Sequence, residues 1–148
     1  MKYSKTITSS VYVVYDNEVL LHRHKKYNIL FLLGGKMSEE EVPHEAAIRE
    51  VYEESGLEVE LYNRECELDL RRVIQLHSPM HTLLENVGHE VENIHFIYFA
   101  RAFSNEVPQK RESKELYWFA KEEFESDGTI KPHVKVMVLD ALRILSNI

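Results

Sequence analysis

The chain has 148 residues, 44% of them hydrophobic and 29% charged, with a formal net charge of −7. These values suit a globular chain of ordinary domain size and exclude a disordered or membrane-embedded one. The acidic balance argues against a general nucleic-acid-binding surface, which must neutralise many phosphates with cations.

Residues 7–15 are rich in β-branched and aromatic side chains, Asp16 and Asn17 supply a turn, and residues 18–22 continue apolar, which predicts a β-hairpin. Asp16, Asn17 and Glu18 also break the N-terminal apolar run, so neither a secretory leader nor a membrane span is expected, and the cytoplasm is the default location. Residues 23–28 are the most basic run before the middle of the chain. Arg23 and Lys25 are candidates to grip phosphate oxygens, and Tyr27 and Phe31 to stack on a flat ring; a solvated loop and core or rim packing are the competing readings. Residues 29–33 read as the next strand.

Gly34, Gly35 and Lys36 open the most informative segment. From Pro43, a favoured first helical residue, to Gly56, a favoured left-handed stop, the chain reads as one short helix. At about 100° per residue, Arg49, Glu53, Ala46, Glu50 and Glu54 share one arc, and Ala47, Val51, Ser55, Ile48 and Tyr52 share the opposite one. Glu50, Glu53 and Glu54 are therefore expected to be neighbours. Like charges at this spacing destabilise a helix by roughly a few tenths of a kcal/mol per pair, and only Arg49 offsets them. A solvated acidic face is the ordinary meaning of such a cluster. A set of hard oxygen ligands on one helical face, next to a glycine turn that backbone can approach closely, also fits a Mg²⁺ or Mn²⁺ site.

Beyond the helix, residues 57–61 alternate as a strand with one wet face, and residues 68–76 are a second strand candidate. The one cysteine, Cys66, excludes an internal disulfide, fits a reducing compartment and is expected to be a buried, inert thiol. Residues 77–92 are too irregular to assign and long for a plain turn, as functional loops often are. His77, His81, His89 and His95 match no tight zinc spacing. Residues 94–103 make the strongest strand, apolar on both faces and so central. Pro108 and the charged residues 109–114 mark a loop, residues 116–119 a short strand with Trp118 in the core. Pro132 opens a helix whose Val134, Met137, Val138, Ala141, Leu142 and Leu145 form an apolar stripe. The order of elements predicts an α/β fold, a mixed sheet between helices, in a single domain over residues 1–148.

Gly35, five residues, Glu41, seven residues, Arg49-Glu50, Val51, any residue, Glu53-Glu54, any residue, Gly56 and Leu57 resembles the Nudix box at every fixed position. Many fixed residues over residues 35–57 make the pattern specific. One difference lies just outside, where Leu33 takes the place in which many members carry proline. The resemblance implies an α/β/α sandwich and metal-dependent hydrolysis of a nucleoside diphosphate linked to another moiety. It implies Glu50, Glu53, Glu54 and the Gly35 carbonyl as ligands for Mg²⁺, with Mn²⁺ as the alternative. Arg49 would orient a glutamate, Glu41 would tie the loop to the helix, and Glu53 is our choice to activate water. Lys36 joins Arg23, Lys25, Tyr27 and Phe31 as a substrate-binding candidate. Such enzymes often recruit a further glutamate from a distant loop, for which Glu90 and Glu92 are the candidates, with Glu112 and Glu115 behind them.

The resemblance implies a small-molecule nucleotide as partner, with no nucleic acid and no membrane, and leaves a homodimer open. A nucleoside triphosphate is the expected substrate; ADP-ribose, dinucleoside polyphosphates and nucleotide sugars remain open. The rival from another class is a nucleotide-sensing module of the same fold without turnover. Such modules would be expected to lose box glutamates or to carry a second domain, and this chain keeps every glutamate. A structural protein with an acidic helix is the third reading.

Overall fold

A computed structural model of the chain describes residues 4–24, 28–88, 90–107 and 115–146. Strands β1 (Ser4–Tyr15) and β2 (Glu18–His24) form the expected hairpin, and Asp16 and Asn17 both take positive φ, 47° and 65°, in the two-residue turn. β3 (Ile29–Phe31) and β4 (Leu33–Lys36) follow, separated at Leu32, so the strand expected over residues 29–33 is two short ones. Then come α1 (Pro43–Ser55), β5 (Val59–Leu61), β6 (His81–Asn86), β7 (Val91–Ala102), β8 (Glu115–Ala120), α2 (Lys121–Glu125) and α3 (Pro132–Leu145).

The eight strands among the described residues make one mixed sheet with the path β3-β2-β1-β7-β5. β1 and β7 run parallel from Ser4↔Val91 to Val14↔Arg101, while β4 is antiparallel to β1, β8 to β2, and both β5 and β6 to β7. β7 is therefore central, as its apolar faces require. Alternation divides the core in two. Val11, Val13 and Tyr98 pack with Ala47 and Val51 of α1, and Tyr12, Val14, Ile97 and Phe99 pack with Val134, Met137 and Val138 of α3. The class is α/β, helices on both faces of a mixed sheet. No helix among the described residues is long and apolar enough to cross a membrane.

Three expectations are corrected. Residues 68–76 form no strand: Leu68, Val73 and Ile74 are 54%, 67% and 82% exposed, and the chain turns at Arg71 (φ 63°). The Gln75 amide takes the place of ladder bonds there, accepting from the Leu68 N–H at 2.8 Å and donating to the Cys66 carbonyl at 3.1 Å. Cys66 is exposed because it lies in this same unpacked arm. Conversely, residues 81–86 within the irregular stretch pair with β7 as an edge strand; burial alternates along it, but Leu84 lies on its exposed side and Glu85 on its packed side, so the hydropathy of the sequence does not alternate with it.

Candidate active site

Both ends of α1 are set locally. Pro43 opens it, Glu45 Oε1 accepts the Val42 N–H at 3.0 Å, and Gly56 closes it at φ 78°, its N–H donating to the Tyr52 carbonyl. The helix buries Ala46, Ala47, Val51, Glu54 and Ser55 and leaves Ile48 and Tyr52 exposed, so its inward face takes members of both arcs. Ala47 and Val51 meet the sheet. Glu54, only 1% exposed, goes inward because the Gly34 N–H donates to its Oε1 at 2.8 Å, which offsets the cost of burying a carboxylate.

Arg49 organises the other glutamates. Its Nε and Nη2 donate to Oε2 and Oε1 of Glu41 at 2.5 and 3.0 Å, a two-pronged pair. Its Nη1 donates to Glu50 Oε1 at 2.9 Å and to Glu53 Oε2 at 3.0 Å, and Nη2 reaches the Lys36 carbonyl at 3.2 Å. One guanidinium thus fastens the loop before the helix, two helical carboxylates and the end of β4. The hydrogen bond from Arg49 pulls the Glu41 carboxyl down to about 2, and the same bond pushes the Arg49 guanidinium further up.

The three glutamates expected as neighbours are divided between two partners, Glu50 and Glu53 on Arg49 and Glu54 on Gly34. Among the described residues no three of His, Cys, Asp or Glu gather as a metal-holding cluster. The donor chemistry nevertheless fits a hard divalent cation, because Glu50 and Glu53 already converge on one positively charged nitrogen. Gly35 leaves space beside them: a Cβ there would lie 2.6–2.8 Å from the carboxyl atoms of Glu50.

Next to Gly34 and Gly35 lies a cleft of about 550 Å³. Phe31 and His22 meet edge to face in its wall, ring centroids 4.1 Å apart. Thr8, Ser10, Asn93 and His95 furnish its polar side, where Asn93 Nδ2 donates to Thr8 Oγ1 at 2.9 Å. Of the substrate candidates, Phe31 and Arg23 line this cleft. The Arg23 guanidinium is engaged by Asp127 at 3.0 Å, Asn28 at 3.0 Å and Thr129 at 3.2 Å, which draws it toward the turn before α3. Lys36 is exposed at the end of β4, and Lys25 and Tyr27 lie outside the described residues.

The candidates for a further glutamate are placed otherwise. Glu92 pairs with Lys5 at 2.7 Å across β1 and β7. Glu90 is exposed in the turn before β7, with φ 61°. Glu115 starts β8, and Glu112 lies outside the described residues. The histidines scatter: His77 stacks on His44 with centroids 4.5 Å apart, His81 bonds Asp140 at 2.9 Å, and His89 lies outside the described residues. Burial, aided by His77, pushes the pKa of His44 down.

Ser10 and Glu85 were not singled out by the sequence, and His95 only as one of four histidines without zinc spacing. His95 Nδ1 lies 2.9 Å from Glu85 Oε1 and Nε2 lies 2.6 Å from Ser10 Oγ. The available signal was Asn93 and His95 at alternate positions of the most apolar strand, polar groups that need partners wherever the strand is packed.

The profile of the NUDIX domain matches residues 5–139. Among solved structures, a hydrolase of the NUDIX family from Clostridium perfringens is 38% identical, with a TM-score of 0.85, covering 95% of this chain and 98% of that one. A MutT NUDIX hydrolase from Burkholderia pseudomallei is 19% identical with a TM-score of 0.68, covering 97% of this chain and 99% of that one. A mutator MutT protein from Bacillus halodurans is 20% identical with a TM-score of 0.66, covering 93% and 82%. The latter two likenesses are of fold. No curated protein matches the sequence.

Proposed function

The chain belongs to the NUDIX family of hydrolases, and from that premise we propose that it cleaves a pyrophosphate bond with the help of Mg²⁺, in a nucleoside triphosphate or a related nucleotide. Members of the family hydrolyse nucleoside diphosphates linked to other moieties and generally use divalent metal ions. The observation that carries the reading is Arg49 holding Glu41, Glu50 and Glu53 together beside the Gly34–Gly35 strand and its cleft. We propose residues 1–148 as one catalytic unit.

Glu50, Glu53, Glu54 and the Gly35 carbonyl are the groups that would hold the metal. When bound, the cation would offset charge on the phosphate oxygens and favour a reactive water. Glu53 is the half-exposed carboxylate, its side chain 46% accessible, which suits it to take a proton from water. Arg49 orients Glu53 and Glu50. Glu41 in turn fixes Arg49, holding the loop against the helix. Phe31 offers a flat face to a base, while the Thr8 hydroxyl and the Asn93 amide in the same cleft suit a sugar.

A phosphate-release screen of nucleoside triphosphates, ADP-ribose, nucleotide sugars and dinucleoside polyphosphates, with and without Mg²⁺, tests this reading. Turnover of at least one, abolished by chelation, is the expected result. Tight nucleotide binding without turnover would instead favour the sensing module.

A further inference from the structure

A line of polar side chains crosses the sheet diagonally, each hydrogen-bonded step displaced two residues along the strands from the directly paired position. It starts at Glu85 on edge strand β6, passes to His95 on β7 at 2.9 Å, and reaches Ser10 on β1 at 2.6 Å. It ends against Gly34 on β4, paired with Ser10, where a Cβ would lie 2.2 Å from Ser10 Oγ. Ser10 therefore fills the place of the missing side chain. The N–H of that same Gly34 is held by the buried Glu54. Ser10 is 5% exposed, and the side chains of His95 and Glu85 are 13% and 35% exposed, so the line runs from the surface to the interior.

We infer that His95 is a positioning residue for the acidic helix, acting through Ser10 and Gly34 on Glu54, with Glu85 fixing the orientation of its imidazole. The inference rests on the hydrolase reading for its kinetic consequence, but the contact chain stands on geometry alone. A histidine with a carboxylate on one ring nitrogen is held in one orientation, and its other nitrogen then fixes a hydroxyl. Here the hydroxyl sets how closely β4 approaches β1. A shift of Gly34 moves the donor that keeps Glu54 in place and the adjoining Gly35 beside Glu50.

The test uses Glu85→Ala, Glu85→Gln, Ser10→Ala and the double variant Glu85→Ala/Ser10→Ala in the full chain, read two ways. The first readout is the NMR resonance of the Gly34 backbone amide. The second is kcat and KM on the best substrate from the screen. Glu85→Ala lies at the partly exposed end and is expected to move the Gly34 amide and to lower kcat on the order of 10- to 100-fold with KM unchanged. Glu85→Gln, which keeps an acceptor for the imidazole, restores both, and the double variant is no worse than the more damaging single one. A Gly34 amide that stays in place in both Glu85→Ala and Ser10→Ala overturns the inference. So does a rise in KM at constant kcat, which would make His95 and Ser10 direct contacts of the substrate. If no substrate is turned over, the hydrolase reading fails while the amide resonance still decides the contact chain.

Discussion

The guanidinium of Arg49 grips Glu41 with two nitrogens across the turn that separates β4 from α1. The ordinary carboxyl value of 4.5 is lowered to about 2 in the fold. A depressed carboxyl contributes stability that is complete above its unfolded value and disappears as pH falls through the folded one. Thermal unfolding of the native chain and of Glu41→Gln is therefore expected to differ by a constant amount above about pH 4.5, the gap closing toward about pH 2. A gap independent of pH would assign the difference to something other than this ion pair.

Glu53 and Glu54 are expected to separate under substitution although they adjoin in sequence. Glu53→Gln removes a half-exposed carboxylate and should cost turnover on the order of 10² or more with unfolding unchanged. Glu54→Ala strips the Gly34 N–H of its buried acceptor and leaves a void, so it should lose both turnover and about 2–4 kcal/mol of stability. Urea unfolding beside an activity assay checks the pair; native turnover in Glu53→Gln at saturating Mg²⁺ would remove Glu53 from the mechanism.

The two glycines of β4 give a second contrast. A methyl at Gly34 meets backbone, the Ser9 carbonyl and Ser10 Cα at 2.5 Å, whereas one at Gly35 meets the end of the Glu50 side chain. Gly34→Ala is expected to destabilise by about 1–3 kcal/mol, since strands must part. Gly35→Ala should fold nearly as well and lose activity as Glu50 is displaced. Calorimetry with a turnover measurement distinguishes them.

Tyr12 is fully buried under α3, and its hydroxyl has no hydrogen-bond partner among the described residues. Burial pushes its pKa up. Tyr12→Phe removes an unsatisfied polar group and keeps the ring, including its edge contact with Phe99. Stability is expected to rise by about 1 kcal/mol. A fall in the unfolding midpoint would reveal a partner for the hydroxyl.

Much of this was legible in the sequence where one physical demand dominated. The Asp16–Asn17 turn, the double-faced β7, the capped α1 and the apolar stripe of α3 each satisfy a local rule, and the fold keeps them. The arm over residues 68–76 obeys the strand pattern but finds no partner strand among the described residues, and its chain turns at Arg71 instead. In the site, the tie of Glu41 to the helix was implied by the resemblance of residues 35–57 to the Nudix box, and Arg49 makes it. The inward turn of Glu54 was not implied, because it depends on a backbone N–H supplied by β4, and neither was the line from Glu85 to Ser10, whose members lie on three strands. Helical angle alone places side chains on a cylinder; the sheet decides which way the cylinder is rolled.

The exposed arm between β5 and β6 has a consequence for where the chain can be opened. Both of its ends are tied to β7, the Tyr62 N–H to the Phe99 carbonyl at 2.8 Å and the Met80 N–H to the Ile97 carbonyl at 2.7 Å. The ends thus stay side by side whatever happens between them. A cut beside Arg71 and Arg72 would leave two pieces still joined through the sheet, and the same spot would serve as new termini for a circularly permuted chain or as the seat of an inserted domain.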